Sequence, residues 1–193
     1  MEQINEELSL ENDFQKEAIG PQKRFWILVI ALVLLTAGIL VLVWLLPKSS
    51  ALPQFSEIMT SNHAAFDHPV YGTVDWVEIY NPTEHDIDLS GYGFTNEIKR
   101  TFRYRFPEGT ILKRGEYLLL YCTGGTEASD ADPYCTGFNL SASGEDLYLV
   151  NPNNVEVDEV HVPALESDTS WARTPEGAFA VTENPTPNEA NRF

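Results

Sequence analysis

The sequence predicts an all-β domain, a sandwich or barrel of about 135 residues, carried behind one membrane-spanning α-helix. Three observations predict it. Phe25 to Leu46 is an uninterrupted uncharged run of 22 residues. From Phe55 onward the apolar residues recur with a period of two, in short runs rich in Val, Ile, Tyr and Phe. Turn residues punctuate those runs, and no long amphipathic helix intervenes.

The helix comes first. Phe25 to Leu46 reads FWILVIALVLLTAGILVLVWLL, with only Thr36 and Gly38 as mild interruptions. At about 1.5 Å per residue it spans roughly 33 Å, enough for a hydrocarbon layer of about 30 Å. Trp26 and Trp44 sit near its ends, where amphipathic rings favour the interface. Lys16, Lys23 and Arg24 precede it and only Lys48 follows closely. The positive-inside rule then puts residues 1–24, a short acidic tail, in the cytoplasm and the remainder outside. A cleaved signal peptide is the alternative, since Ser49-Ser50-Ala51 offers small residues for cleavage. The run is nevertheless much longer than the usual h-region of about 7–15 residues. A retained anchor over 25–46, with the lipid bilayer as its partner, is the expectation. Residues 47–54 read as a linker.

The strand candidates follow in order: FSEIMT, VDWVEIYN, RTFRYRF, EYLLLYC, EDLYLVN and VEVDEVHV. Asn81-Pro82, Ser90-Gly91, Pro107-Glu108-Gly109, Arg114-Gly115, Ser143-Gly144 and 151–154 (NPNN) break them. A chain of this length buries a core of its own without help from a metal.

Charge narrows the partners. Of 12 Lys/Arg and 29 Asp/Glu in the whole chain, residues 49–193 hold 8 and 23. So acidic a domain is a poor nucleic-acid binder, because phosphate contacts need a basic face. It suits a surface that stands off an anionic membrane. Both cysteines, Cys122 and Cys135, fall in the exported part, where pairs are free to oxidise. A disulfide between them is expected, closing a loop of about 13 residues and contributing roughly 3 kcal/mol. Two free thiols are the alternative.

Candidate chemistry is sparse. Asp75 and Glu78 flank Trp76 as a glycoside hydrolase pair would. On a strand, however, positions three apart point to opposite faces, so these carboxyls do not converge. One face carries Asp75, Val77 and Ile79 and the other Trp76, Glu78 and Tyr80. Apolar bulk on both faces marks a central strand, on which a buried Glu78 needs a partner; Arg173 is the expected one. Lys99, Arg100, Arg103, Arg105, Lys113 and Arg114 form a basic segment. In TFRYRF the aromatics would face the core and the arginines the solvent. The patch could take an anion or acidic partner, or simply be a charged face that discourages edge association. Glu127, Asp130 and Asp132 lie in an acidic loop without the full calcium-loop pattern. His63, His68, His85 and His161 have no metal spacing, and no nucleophile elbow, P-loop or dinucleotide fingerprint occurs. No cofactor is expected.

An ordered set of motifs runs through the domain: SEIM at 56–59, DWVEIYN at 75–81, DLSGYGF at 88–94, FPEGTIL at 106–112 and GEYLLL at 115–120. GFNLSASGEDLYL at 137–149, SWARTPEG at 170–177 and TPN at 186–188 complete it. This order resembles the lamin-tail domain and covers residues 55–188, with 189–193 left as a C-terminal tail. The resemblance implies an immunoglobulin-like β-sandwich in a bacterial, membrane-attached interaction module. One departure stands out: the glycine usual in the C-terminal TPG is Asn188 here. No companion catalytic domain is expected beside it.

The expected function is therefore a non-catalytic interaction or scaffolding module at the outer face of a cell membrane, its β-domain binding a protein or wall polymer. An accessory subunit of a membrane complex and a cell-wall hydrolase are the alternatives.

Overall fold

The computed structural model describes residues 20–45, 52–125 and 132–193. The chain divides into two compact units, one N-terminal to Pro47 and one from Lys48 to Phe193.

Among the described residues the first unit is a single helix, α1 (Pro21–Leu45). Pro21 opens it at the position where a missing N–H costs nothing. Between Phe25 at 60% and Ile39 at 52% its large apolar side chains are exposed, Val29 alone among them being half-buried. A helix so apolar and so little covered fits a single-pass membrane anchor or a signal sequence. Thr36, the polar interruption, donates its hydroxyl to the Val33 carbonyl at 2.9 Å and so needs no outside partner. It is the one helix among the described residues long and apolar enough to cross a membrane.

Among the described residues the second unit has twelve strands. They are β1 (Gln54–Met59), β2 (Asp75–Tyr80), β3 (Ile87–Asp88), β4 (Gly93–Thr95), β5 (Tyr104–Arg105) and β6 (Ile111–Leu112). β7 (Tyr117–Cys122), β8 (Cys135–Thr136), β9 (Glu145–Val150), β10 (Glu156–Val162), β11 (Ser170–Arg173) and β12 (Phe179–Thr182) follow. A six-stranded sheet runs β12-β11-β1-β2-β7-β8 and a four-stranded sheet β10-β9-β4-β5, with β3 and β6 paired separately. Every pairing is antiparallel except β7 with β8.

Period-two alternation explains the layers. Val77 and Ile79 of β2 join Phe55, Ile58, Phe94, Leu120, Leu147 and Leu149 in the core between the sheets. Trp76, on the opposite face, packs with Met59 and Leu119 in a smaller outer cluster. β2 is therefore buried on both faces, as its composition requires. The result is the immunoglobulin-like sandwich behind one apolar helix that the sequence predicts.

Three local expectations change. Linker residue Gln54 already belongs to β1. RTFRYRF is mostly turn: Ile98–Arg100 is a 3-10 turn and only Tyr104–Arg105 pairs as strand. Residues beyond 188 do not hang free. Asn191 Nδ2 donates to the Ser56 and Arg173 carbonyls, and Thr182 Oγ1 donates to the Arg192 carbonyl. The tail 1–19 and the linker 46–51 lie outside the described residues.

Candidate functional site

The basic segment separates into two groups. Lys113 and Arg114 lie at the turn after β6. There Lys113 faces Glu116 at 3.7 Å and Arg114 reaches Glu84 at 2.6 Å. Both are neutralised locally. Arg100, Arg103 and Arg105 instead line a groove of about 310 Å³ together with Tyr104, Cys135, Gly137 and Phe138. Lys99 is on the neighbouring turn but does not line it. The groove lies where an edge strand of each sheet, β5 and β8, comes to the end of the sandwich.

Local sequence explains how the arginines are held. Gly91 takes φ +72°, and a side chain at Gly93 would collide with the Thr101 carbonyl and the Phe102 ring. The two glycines of DLSGYGF let the arginine segment lie directly on β4. Arg105 then sits 3.8 Å above the Phe102 ring, with Nη1 donating to the Gly91 carbonyl at 2.9 Å. Arg103 sits 4.4 Å above Phe138, with Nη1 donating to Asn96 Oδ1 at 2.6 Å. Asn96 is oriented in turn by Glu145, which accepts from its Nδ2 at 2.6 Å. Ring stacking contributes about 0.5–1 kcal/mol for each exposed cation and restricts its rotamers. Each guanidinium carries five donors, and one is committed in each of these bonds. Among the described ion pairs neither Arg103 nor Arg105 has a carboxylate partner, whereas Arg100 meets Glu97 at 3.4 Å. The groove is thus a fixed pair of forks over an aromatic floor, suited to planar carboxylates. Tyr104, buried in that floor, donates its hydroxyl to the Pro133 carbonyl at 2.7 Å.

The model of the Lamin Tail Domain family matches residues 47–164, more than half of the chain. The chain belongs to the lamin tail domain family. No curated protein matches it. All the groove residues of this lamin-tail domain fall inside the matched region. β11 and β12 lie beyond it and nonetheless complete the six-stranded sheet.

The expected Glu78–Arg173 pair is not formed. Arg173 turns to the core side, where Nη2 meets Asp158 at 2.7 Å and Nε donates to the Phe55 carbonyl at 2.8 Å. Its guanidinium also lies 4.5 Å above Phe179. Glu78 points to the other face and stands directly opposite Glu57 on β1. Both side chains are fully buried. Their donors come from the C-terminal segment: Thr186 N and Oγ1 to Glu57, and Asn188 N to Glu78. Ser170 Oγ adds a further bond to Glu57. Glu78 Oε1 has no partner. Burial, opposed by the Asn188 N–H and the Ser56 hydroxyl and reinforced by the Glu57 charge, pushes the Glu78 carboxyl up to about 8. Glu57 is raised too, by burial. Asn188, in place of the family's glycine, adopts φ +65°. Asn tolerates that region better than most residues, so the turn survives the replacement.

The expected disulfide is also absent: Cys122 and Cys135 are free, buried thiols. Cys122 pairs with Thr136 and Cys135 with Tyr121, so the two cysteines sit one position apart in register and project to opposite faces. Burial pushes both thiols up, which makes them poor nucleophiles.

The remaining candidates serve structure. Asp75 Oδ1 accepts from Asn62 N at 3.1 Å and shares no space with Glu78. His68 Nδ1 accepts from Val70 and Tyr71 N–H groups, and its ring packs against Tyr71 and Tyr121. His161 meets Asp146 at 2.7 Å. Among the described residues no group of three His, Cys, Asp or Glu could hold a metal. Glu127 and Asp130 lie outside the described residues.

Proposed function

We propose that this chain is a membrane-tethered, non-catalytic interaction module. It displays a lamin-tail domain at the outer face of the cell membrane and captures carboxylate-bearing partners in the Arg100–Arg103–Arg105 groove. One observation carries the reading: two stacked arginines with open donors and, among the described residues, no carboxylate in an ion pair with them, in a domain that is otherwise strongly acidic. By contrast Lys113, Arg114 and Arg192 on the same surface are each matched with an acid. Two groove arginines with no ion-pair partner among the described residues have a purpose if a partner supplies the acid. The flanking Lys16, Lys23 and Arg24 support an inside N-terminus.

The test is binding of fluorescein-labelled octaglutamate to the full chain in detergent micelles. R103E/R105E should weaken binding roughly tenfold or more, since reversal turns attraction into repulsion at both positions. K113E/R114E should leave it unchanged. Equal loss in both variants would show non-specific charge attraction, and the groove reading would fail.

A further inference from the structure

The four-stranded sheet is electrically lopsided. Its order makes β5 and β10 its two edges. The β5 edge carries the groove arginines, exposed at 103 and 105. The β10 edge carries Glu156 and Glu159, both exposed, with Asp146 beside them on β9. These three acids surround Tyr148, whose phenol is pushed up first by burial and then by their charges. Asp158, the remaining acid of β10, is turned inward to Arg173. Three strand spacings, roughly 14 Å, separate the opposite signs.

Edge strands invite pairing, and charge decides which pairings form. Two β10 edges repel each other, and so do two β5 edges. A β5 edge and a β10 edge attract. We propose that copies of this chain associate head to tail, with the arginine edge of one domain seated against the Glu156–Glu159 edge of the next. The partner is a second copy of this chain. The proposal rests on the groove being a carboxylate site and names its occupant. Because the two surfaces differ, the contact is heterologous and builds a linear array rather than a closed dimer.

The test is sedimentation of the full chain in detergent micelles over a concentration series. Wild type should grow beyond the dimer as concentration rises. R103E/R105E and E156K/E159K should each associate roughly tenfold or more weakly, because each presents edges of one sign only. An equimolar mixture should recover association, since every contact then joins opposite signs. Association unchanged in either variant alone, a monomeric wild type, or a mixture that stays apart would overturn the proposal. All four positions are exposed, and thermal melting confirms folding. E156K/E159K should still bind octaglutamate like wild type. If it does while wild type stays monomeric, self-association falls and the groove stands; if neither variant nor wild type binds octaglutamate, the groove itself falls.

Discussion

Glu78 has no cation, one free oxygen, and a second carboxylate directly across the strand pair. The fold therefore favours its protonated form. Its carboxyl is raised from 4.5 to about 8, so the folded state binds the proton more tightly than the unfolded chain does. Stability from this group is complete below about pH 4.5 and is lost as pH rises toward 8. At the acid end Asp168 works the other way. Its carboxylate accepts from Ala64, His63 and Ala65 N–H groups and is held below its ordinary range, so that contribution is lost as pH falls. Denaturation midpoints should peak at mildly acidic pH and drop between pH 5 and 9 by an amount on the order of a few kcal/mol. Glu78→Gln should flatten the alkaline slope; an unchanged slope would mean that Glu78 does not titrate there. The cysteines give a second prediction at this scale. Native Cys122 should resist thiol reagents, and both cysteines should react once the chain is denatured, with no reductant added. Residue identity alone showed that Glu78 needed a partner. It could not name that partner, because the donors are backbone groups more than a hundred residues away, and backbone groups leave no trace in composition. The disulfide failed for a related reason: loop length permits a bridge, but register decides which faces the thiols take.

Among the elements, the C-terminal segment acts as a strap across the outer face of β1 and β2. Thr186 and Asn188 supply most of the donors to the two buried glutamates, and Asn191 ties the segment to Ser56 and Arg173. Removing residues 184–193 leaves both carboxylates short of donors and should cost roughly 2–5 kcal/mol, read as a lower melting temperature. Restoring Thr186→Ala alone, with its N–H kept, should cost about 1 kcal/mol. Asn188→Gly should be near neutral, whereas Asn188→Val should cost more than 1 kcal/mol because valine resists positive φ. The long strands were readable from alternation, since β1, β2, β7, β9 and β10 each run six or seven residues. The two-residue strands β3, β5, β6 and β8 were not, because so short a piece has no period. RTFRYRF alternates over seven residues yet mostly turns. Gly93 lets it cross close to β4, and the 3-10 turn consumes its first residue.

The whole molecule joins an exposed apolar helix to an acidic sandwich, with two arginines that have no ion-pair partner among the described residues gathered in one groove. If α1 is a retained anchor, the intact-mass chain should stay with membranes through alkaline carbonate extraction. A signal sequence would instead release a chain shortened by the cut near Ala51. The fold class was legible from a hydrophobic period of two, and the helix from the length of its unbroken apolar run. The groove was half legible. All three arginines were in the basic segment, but the segment also contained Lys113 and Arg114, which fold away to Glu116 and Glu84. Phe138, which fixes Arg103 from a distant loop, and Asn96, which lies seven residues before it without any periodic relation to it, gave no sequence signal. The central claim is that these arginines receive carboxylates. Arginine side-chain NMR of the full chain in micelles tests it most directly, by following each Nε–Hε signal as octaglutamate is added. Shifts at Arg103 and Arg105, with Arg114 and Arg192 still, are the predicted result; shifts centred on Arg114 and Arg192, or none at the groove, would contradict it.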